Sequence, residues 1–133
     1  MRKRIILLMT LLSFVSFSQE VIWENHKEIK GVIINKGTIE CHNNELLTFA
    51  IENTNNYTIT ISWYEEVWIN DVCKQNGESQ EHYRELTLLP EEIVQGDCTF
   101  RQSFYIGSKV VRGTQTLLLT YFQLNNIIVE AEK

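Results

Sequence analysis

The residues best suited to acid–base chemistry are two pairs of adjacent carboxylates, Glu65-Glu66 and Glu91-Glu92. Paired carboxylates can serve a glycosidase or hold calcium. Neighbouring residues of an extended strand point to opposite faces, so neither pair forms a catalytic dyad by itself. The loop acids Asp71 and Asp97 are the better calcium candidates, but a solvated acidic rim is the favoured interpretation of all these residues.

The three histidines, His26, His42 and His82, show no zinc-ligand spacing. Cys41 and His42 are adjacent, and on a strand they would face opposite ways. The chain has no Cys-x-x-Cys, no Gly-x-Ser-x-Gly, no phosphate-binding glycine loop and no His-Glu-x-x-His. We therefore predict no catalytic residue, no metal and no cofactor, and a protein that is not an enzyme.

Three cysteines allow one disulfide and one remaining thiol. Cys73 and Cys98 lie in turn-rich segments at strand ends, which favours a Cys73–Cys98 bridge. Cys41 shares the parity of Ile39 and is predicted to be a small buried core residue. The Cys41–Cys98 bridge is the competing pairing.

The chain begins with Met-Arg-Lys-Arg and a short apolar run, followed by small residues at positions −3 and −1 of a cut after Ser18. This pattern predicts a signal peptide over residues 1–18 and an exported protein, periplasmic or extracellular. The run is too short to span a bilayer comfortably, so we expect no stable membrane insertion after cleavage. Loss of three basic residues lowers the net charge from −5 to −8, which argues against nucleic acid as a partner.

The stretch from Tyr57 to Ile69 organises the rest of the chain. Tyr57, Ile59, Ile61 and Trp63 alternate with small polar residues, which predicts a strand with one buried face. The segment 46–53 also alternates, and the four turn-forming residues 53–56 between the two runs predict a β-hairpin.

Trp63 and Trp68 have opposite parity, so a regular strand cannot bury both. A bulge at Glu65-Glu66 would reset the register and place both indoles in the core. Alternatively, Tyr64, Glu66 and Trp68 form an exposed patch suited to carbohydrate or partner binding.

Short strands with turns between them predict an all-β domain over residues 19–133, an immunoglobulin-like antiparallel β-sandwich of about seven to eight strands. A closed barrel is the alternative. The segment 116–124 is apolar on both faces and suggests a central strand. Asn125-Asn126 either ends that strand in a turn or lies within it.

The arrangement resembles an immunoglobulin domain. Phe49 and Trp63 stand at the relative places of the second-strand cysteine and third-strand tryptophan of antibody-type domains, but a Phe replaces the Cys and no tyrosine corner precedes Cys98. More broadly, the chain resembles small exported immunoglobulin-like proteins of Bacteroidota. The shared cues are the Ser-Phe-Ser-Gln export junction, Ile59-Thr-Ile-Ser-Trp63, Leu88-Leu-Pro-Glu-Glu92 with Gly96-Asp-Cys98, and a closing Leu-Thr-Tyr-Phe-Gln-Leu. This resemblance implies a fold and a compartment but no activity.

These features favour a small exported binding module that engages a protein or glycan partner. A structural or assembly accessory of the cell envelope, pairing through an exposed edge strand, is the alternative. A small hydrolase is a less favoured one.

Overall fold

Nine antiparallel strands account for most of the chain in the computed structural model, which describes residues 21–99 and 105–132. The signal peptide predicted for residues 1–18 lies outside the described residues. The strands are β1 (Glu24–Ile29), β2 (Val32–Cys41), β3 (Asn44–Asn53), β4 (Ile59–Ile69), β5 (Val72–Asn76), β6 (Tyr83–Leu88), β7 (Ile93–Gln95), β8 (Tyr105–Arg112) and β9 (Gln115–Ala131), with a 3-10 turn at Gln80–His82. The all-β prediction is confirmed, with nine strands rather than seven or eight.

The strands form one continuous sheet in the order β1-β2-β3-β8-β9-β4-β5, with β7 beside β3 and β6 beside β4. The long strand β9 joins its two parts: residues 115–118 pair with β8, and residues 119–131 pair with β4. The predicted central strand is therefore present, and it continues through Asn125-Asn126. We call β1, β2, β3, β7 and β8 the first half of the sheet, and β4, β5, β6 and residues 119–131 the second half.

The main core contains side chains from both halves of the curled sheet. Phe49 of β3 and Trp63 of β4 are each 1% exposed and belong to the same cluster. Ile59 and Ile61 are fully buried, as their alternation predicts. Burial of each such side chain is worth about 1.5–3 kcal/mol. Tyr57 is 47% exposed, so its predicted inward orientation is wrong, because the strand begins only at Ile59.

The predicted hairpin between β3 and β4 does not form. β3 pairs with β2, β7 and β8, whereas β4 pairs with β5, β6 and β9. The connection instead crosses from one half to the other, and the fully buried Asn53 fixes its path. The Asn53 side-chain amide donates to the carbonyl oxygens of Tyr57 (2.9 Å), Leu88 (3.2 Å) and Leu89 (3.1 Å). Asn53 Oδ1 accepts from the backbone N–H of Asn55 at 3.0 Å.

The disulfide joins Cys41 to Cys98, so the favoured Cys73–Cys98 pairing is wrong and the competing pairing is present. Cys41 lies at the end of β2 and is buried with Ile39 in a second, smaller cluster. Strand β7 pairs with β3 in the same half, which brings Cys98 beside the end of β2. Cys73 lies in β5 of the other half, where it is exposed with a free thiol.

Candidate functional site

The side chains of strand β4 alternate between the two faces of the sheet from Ile59 to Val67, although Ser62 on the outer face is also buried. Trp63, Glu65 and Val67 are buried, with exposed fractions of 1%, 2% and 5%. Tyr64 and Trp68 lie on the opposite face and are half-buried. The predicted bulge at Glu65-Glu66 is absent, because the extra residues at the register shifts lie in the neighbouring strands β9 and β5. The indole of Trp63 therefore lies in the core, and that of Trp68 lies on the outer side.

The outer side of the second half carries four aromatic side chains, Tyr64, Trp68, Tyr83 and Tyr121, which we call the outer aromatic face. Tyr64 is paired with Tyr83 across β4 and β6, and their rings meet edge to face with centroids 5.2 Å apart. Trp68 is paired with Tyr121 across β4 and β9. Direct cross-strand partners lie about 4.5–5.5 Å apart at their Cβ atoms, so Trp68 and Tyr121 are neighbours on this face.

The carboxylate of Glu66 joins Trp68 to Asn125, which lies opposite Tyr64 across β4 and β9. Trp68 Nε1 donates to Glu66 Oε2 at 2.9 Å, and Asn125 Nδ2 donates to Glu66 Oε1 at 3.1 Å. At the other end of the face, the hydroxyl of Tyr83 donates to Glu85 Oε2 at 2.6 Å, and this bond raises the pKa of the tyrosine. The three residues Tyr64, Glu66 and Trp68, singled out from the sequence, thus share one surface.

Glu65 has the opposite environment. Its carboxylate is enclosed between the two halves, and burial raises its pKa from 4.5 to about 7. Arg84 opposes that shift only partly, because its Nη2 lies 3.7 Å from Glu65 Oε2. The indole of Trp63 also favours the charged carboxylate and so lowers the pKa of Glu65. Even so, neither Trp63 Nε1 nor Glu65 Oε1 makes a hydrogen bond of normal geometry in the described part of the chain.

A cleft of about 520 Å³ opens beside Glu65, between β4, β5 and β6 on one side and β3 and β8 on the other. We call it the inner cleft. Its polar lining includes Glu65, Gln75, Arg84, Lys74 and Arg112. Its walls include the apolar residues Val67, Ile69, Ile106, Val110 and Leu117. Three atoms of these residues are fully buried, out of reach of the open space of the cleft, and have no hydrogen-bond partner among the described residues: Glu65 Oε1, Gln75 Oε1 and Arg84 Nε.

The sequence predictions missed the inner cleft because a glutamate is ordinarily read as a surface residue. The position of Glu65 along the strand was a usable signal. It stands two residues from both Trp63 and Val67, so all three side chains share the inward face. Nothing local in the sequence marks Gln75 or Arg84 as its neighbours. These residues meet Glu65 only through the pairing of β4 with β5 and β6.

The histidines lie apart from the inner cleft. His82 is buried, and its Nδ1 lies 3.0 Å from Asn76 Oδ1. Within residues 21–99 and 105–132, no three His, Cys, Asp or Glu side chains are grouped closely enough to hold a metal ion. Over the same ranges, no helix is long and apolar enough to cross a membrane.

Comparison of the chain with known protein families, with curated protein sequences and with solved structures finds no match.

Proposed function

We propose that this chain is an exported binding module whose outer aromatic face binds a neutral glycan. The signal-peptide pattern of residues 1–18 supports export. The Cys41–Cys98 disulfide adds support, because such bonds persist mainly in oxidising compartments. N-terminal sequencing of the exported protein should begin at Gln19, and a protein that retains residues 1–18 would contradict cleavage.

The observation that carries the binding proposal is the hydrogen-bonded unit of Trp68, Glu66 and Asn125 between aromatic pairs. The apolar C–H face of a sugar ring packs on an aromatic ring, while carboxylate and amide groups bond its hydroxyls. All three side chains project from paired strands, so their positions are fixed before a ligand arrives. Such preorganisation reduces the entropy lost on binding.

The charge of this surface disfavours an anionic ligand. Glu66 and Glu85 lie among the aromatic rings, and Glu130 lies opposite Thr60 on the same side of the sheet. The basic side chains nearest in sequence, Lys74 and Arg84, line the inner cleft instead. An acidic polysaccharide would meet like charges on a chain whose net charge is −5.

Binding can be tested with uncharged hexasaccharides of glucose, xylose and mannose, and with a hexagalacturonate as the acidic comparison, by calorimetry. We expect at least one neutral oligosaccharide to bind, and Trp68→Ala to weaken that binding about tenfold or more, equivalent to about 1.4 kcal/mol. Tyr57→Ala removes an exposed aromatic ring that lies outside the outer aromatic face, and should leave affinity unchanged.

Two results would contradict the glycan proposal. One is neutral-glycan binding that Trp68→Ala leaves intact, which would place the site elsewhere. The other is failure of every neutral oligosaccharide to bind, together with capture of an envelope protein by the wild type but not by Trp68→Ala. That outcome would assign the face to a protein partner.

An immunoglobulin-like arrangement is part of the same proposal. Burial of Phe49 and Trp63 in one core from different halves supports it, as does the crossing of the chain between β3 and β4. The continuous sheet through β8 and β9 is a departure from two separate layers. An experimental structure with β3 and β4 in one layer would contradict the arrangement.

A further inference from the structure

His26 lies where the first half of the sheet meets β9, a line that we call the seam. The residue belongs to β1, an edge strand paired with β2. The register of that pairing shifts between Asn25 and Lys27, so His26 is the extra residue of a β-bulge. Bulges are frequent at sheet edges, where they turn a side chain in a new direction.

The ring of His26 packs against two phenylalanines of the main core. Its centroid lies 5.5 Å from that of Phe122 in β9 and 6.4 Å from that of Phe49 in β3. The two phenyl rings themselves meet edge to face, with centroids 6.0 Å apart. Because β1 and β9 are not neighbours in the sheet, they are joined by side-chain contacts such as these.

The charged groups around His26 favour its neutral form. Lys36 of β2 and Lys27 of β1 are the cations near it, and Glu24, opposite Lys36 across the two strands, is the acid. β3 and β9 face the imidazole with the two uncharged phenyl rings. Burial, together with the charges of Lys36 and Lys27, lowers the pKa of His26, and Glu24 opposes this shift only in part.

The ring of Phe122 offers little compensation for a charged imidazole. Lys36 Nζ already lies 5.6 Å from its centroid, within the range of about 6 Å for a cation–π contact. Protonation of His26 would bring a second cation to the same ring and place it beside the first. The neutral imidazole is therefore the form that fits the seam.

We propose that His26 is an acid-sensitive latch between β1 and β9. The neutral ring packs on Phe122 and holds β1 against the second half. The protonated ring leaves the seam, and β1 separates from β9 while the rest of the sheet stays folded. Release widens an open pocket of about 430 Å³ beside Lys36, whose apolar lining includes Phe122 and Leu47.

Acid should open the latch. The latched state binds a proton at His26 less readily than the released state, because its pKa there is lowered. The latch is thus at full strength above the ordinary histidine pKa of 6.5 and weakens as the pH falls through the lowered value. The latch does not depend on the outer aromatic face, since the ring of Phe122 points to the inner side with Val67.

Two NMR measurements on the full mature chain test the proposal at about pH 7.5 and about pH 5, which span the titration of histidine. Nuclear Overhauser contacts between the rings of His26 and Phe122 should be strong at the higher pH and weaker at the lower. Protection of the β1 amides from hydrogen exchange, corrected for the intrinsic effect of pH, should fall about threefold or more. Protection in β3 and β4 should not fall.

His26→Phe keeps an aromatic ring at the seam but cannot titrate, so the acid-induced loss of β1 protection should be absent. This comparison is needed because Glu65, with a pKa of about 7, titrates in the same interval. His42→Asn removes an exposed histidine from the turn after β2 and should keep the wild-type response. His26→Gln replaces the first variant if the phenylalanine disturbs folding.

A second pair of variants tests the role of the neighbouring charge. Lys36→Met removes a cation that disfavours the protonated imidazole, so acid should release β1 less in this variant than in the wild type. Lys109→Met removes an exposed charge from β8 and should leave the response unchanged.

Three results would overturn the latch. One is loss of β1 protection in the non-titrating variant as large as in the wild type, which would assign the effect to another group. Another is persistence of the ring contact with Phe122 when the His26 resonances show a protonated ring. The last is an equal fall of protection in every strand, which would mean that acid unfolds the domain as a whole.

Discussion

The carboxylates of Glu65 and Glu66, consecutive residues of β4, lie on opposite faces of the sheet. Glu65 is enclosed beside Arg84 at 3.7 Å, whereas Glu66 accepts hydrogen bonds from Trp68 and Asn125 on the outside. The same strand therefore supplies an acid to two surfaces with different chemistry. The carboxylate inside is poorly hydrated and readily protonated, while the one outside is held in place by neutral donors.

The first prediction concerns the pH dependence of stability at Glu65. Its pKa is raised from 4.5 to about 7 in the folded state, so the folded chain binds this proton more tightly than the unfolded chain. The resulting stabilisation is fully present below pH 4.5 and is lost as the pH rises through about 7. The full shift corresponds to about 3 kcal/mol, taking about 1.4 kcal/mol per pKa unit.

Glu65→Gln removes this titration while preserving the shape of the side chain. We expect the unfolding free energy of the variant, relative to wild type, to rise by up to about 3 kcal/mol between pH 4.5 and pH 8 in urea denaturation. Glu130→Gln removes an exposed acid on β9 and serves as the control for the loss of one carboxylate. A flat difference for Glu65→Gln would mean that Glu65 titrates like a surface acid.

The second prediction concerns the cysteines. The Cys41–Cys98 bridge closes a loop with a sequence separation of 57 residues, and the chain-entropy model gives it about 4 kcal/mol. Replacing both cysteines with alanine should lower the unfolding free energy by about that amount, whereas Cys73→Ser should change it by less than about 0.5 kcal/mol.

Thiol labelling gives an independent check on the pairing. Maleimide should modify one thiol in the native protein, and peptide mapping should place it at Cys73, which is exposed. Modification of Cys41 after unfolding without reductant would instead show that Cys98 is joined to Cys73.

The third prediction concerns the buried amide of Asn53. Asn53→Ala would leave the carbonyl oxygens of Tyr57, Leu88 and Leu89 without this donor, and we expect a loss of about 2–4 kcal/mol in unfolding free energy. Asn56→Ala, an exposed substitution in the same connection, should cost less than about 0.5 kcal/mol. Similar losses for the two variants would show that Asn53 does not fix the crossing between the halves.

Local alternation in the sequence predicts much of this fold. Ile59, Ile61 and Trp63 are buried as their spacing requires, and Glu65 and Glu66 diverge for the same reason. Alternation says which side chains share a face, but not which strands are neighbours. The turn-forming residues 53–56 suit a hairpin or a crossing equally well, and the choice depends on Leu88, 35 residues beyond Asn53.

The same contrast between local alternation and the pairing of distant strands applies to the candidate sites. The outer aromatic face could be recognised in part, because Tyr64, Glu66 and Trp68 belong to a single strand. The inner cleft could not, because Gln75 and Arg84 reach Glu65 only after β5 and β6 have paired with β4. The disulfide is a similar case, since Cys98 reaches Cys41 through the pairing of β7 with β3.

Strand β9 bears on how the molecule can move. Its residues pair with β8 at one end and with β4 along the rest, so one strand belongs to both halves. Because unpairing β9 would disturb both halves at once, we expect the two halves to unfold together. Hydrogen exchange should then show the paired backbone amides of β9 exchanging with solvent in one cooperative step.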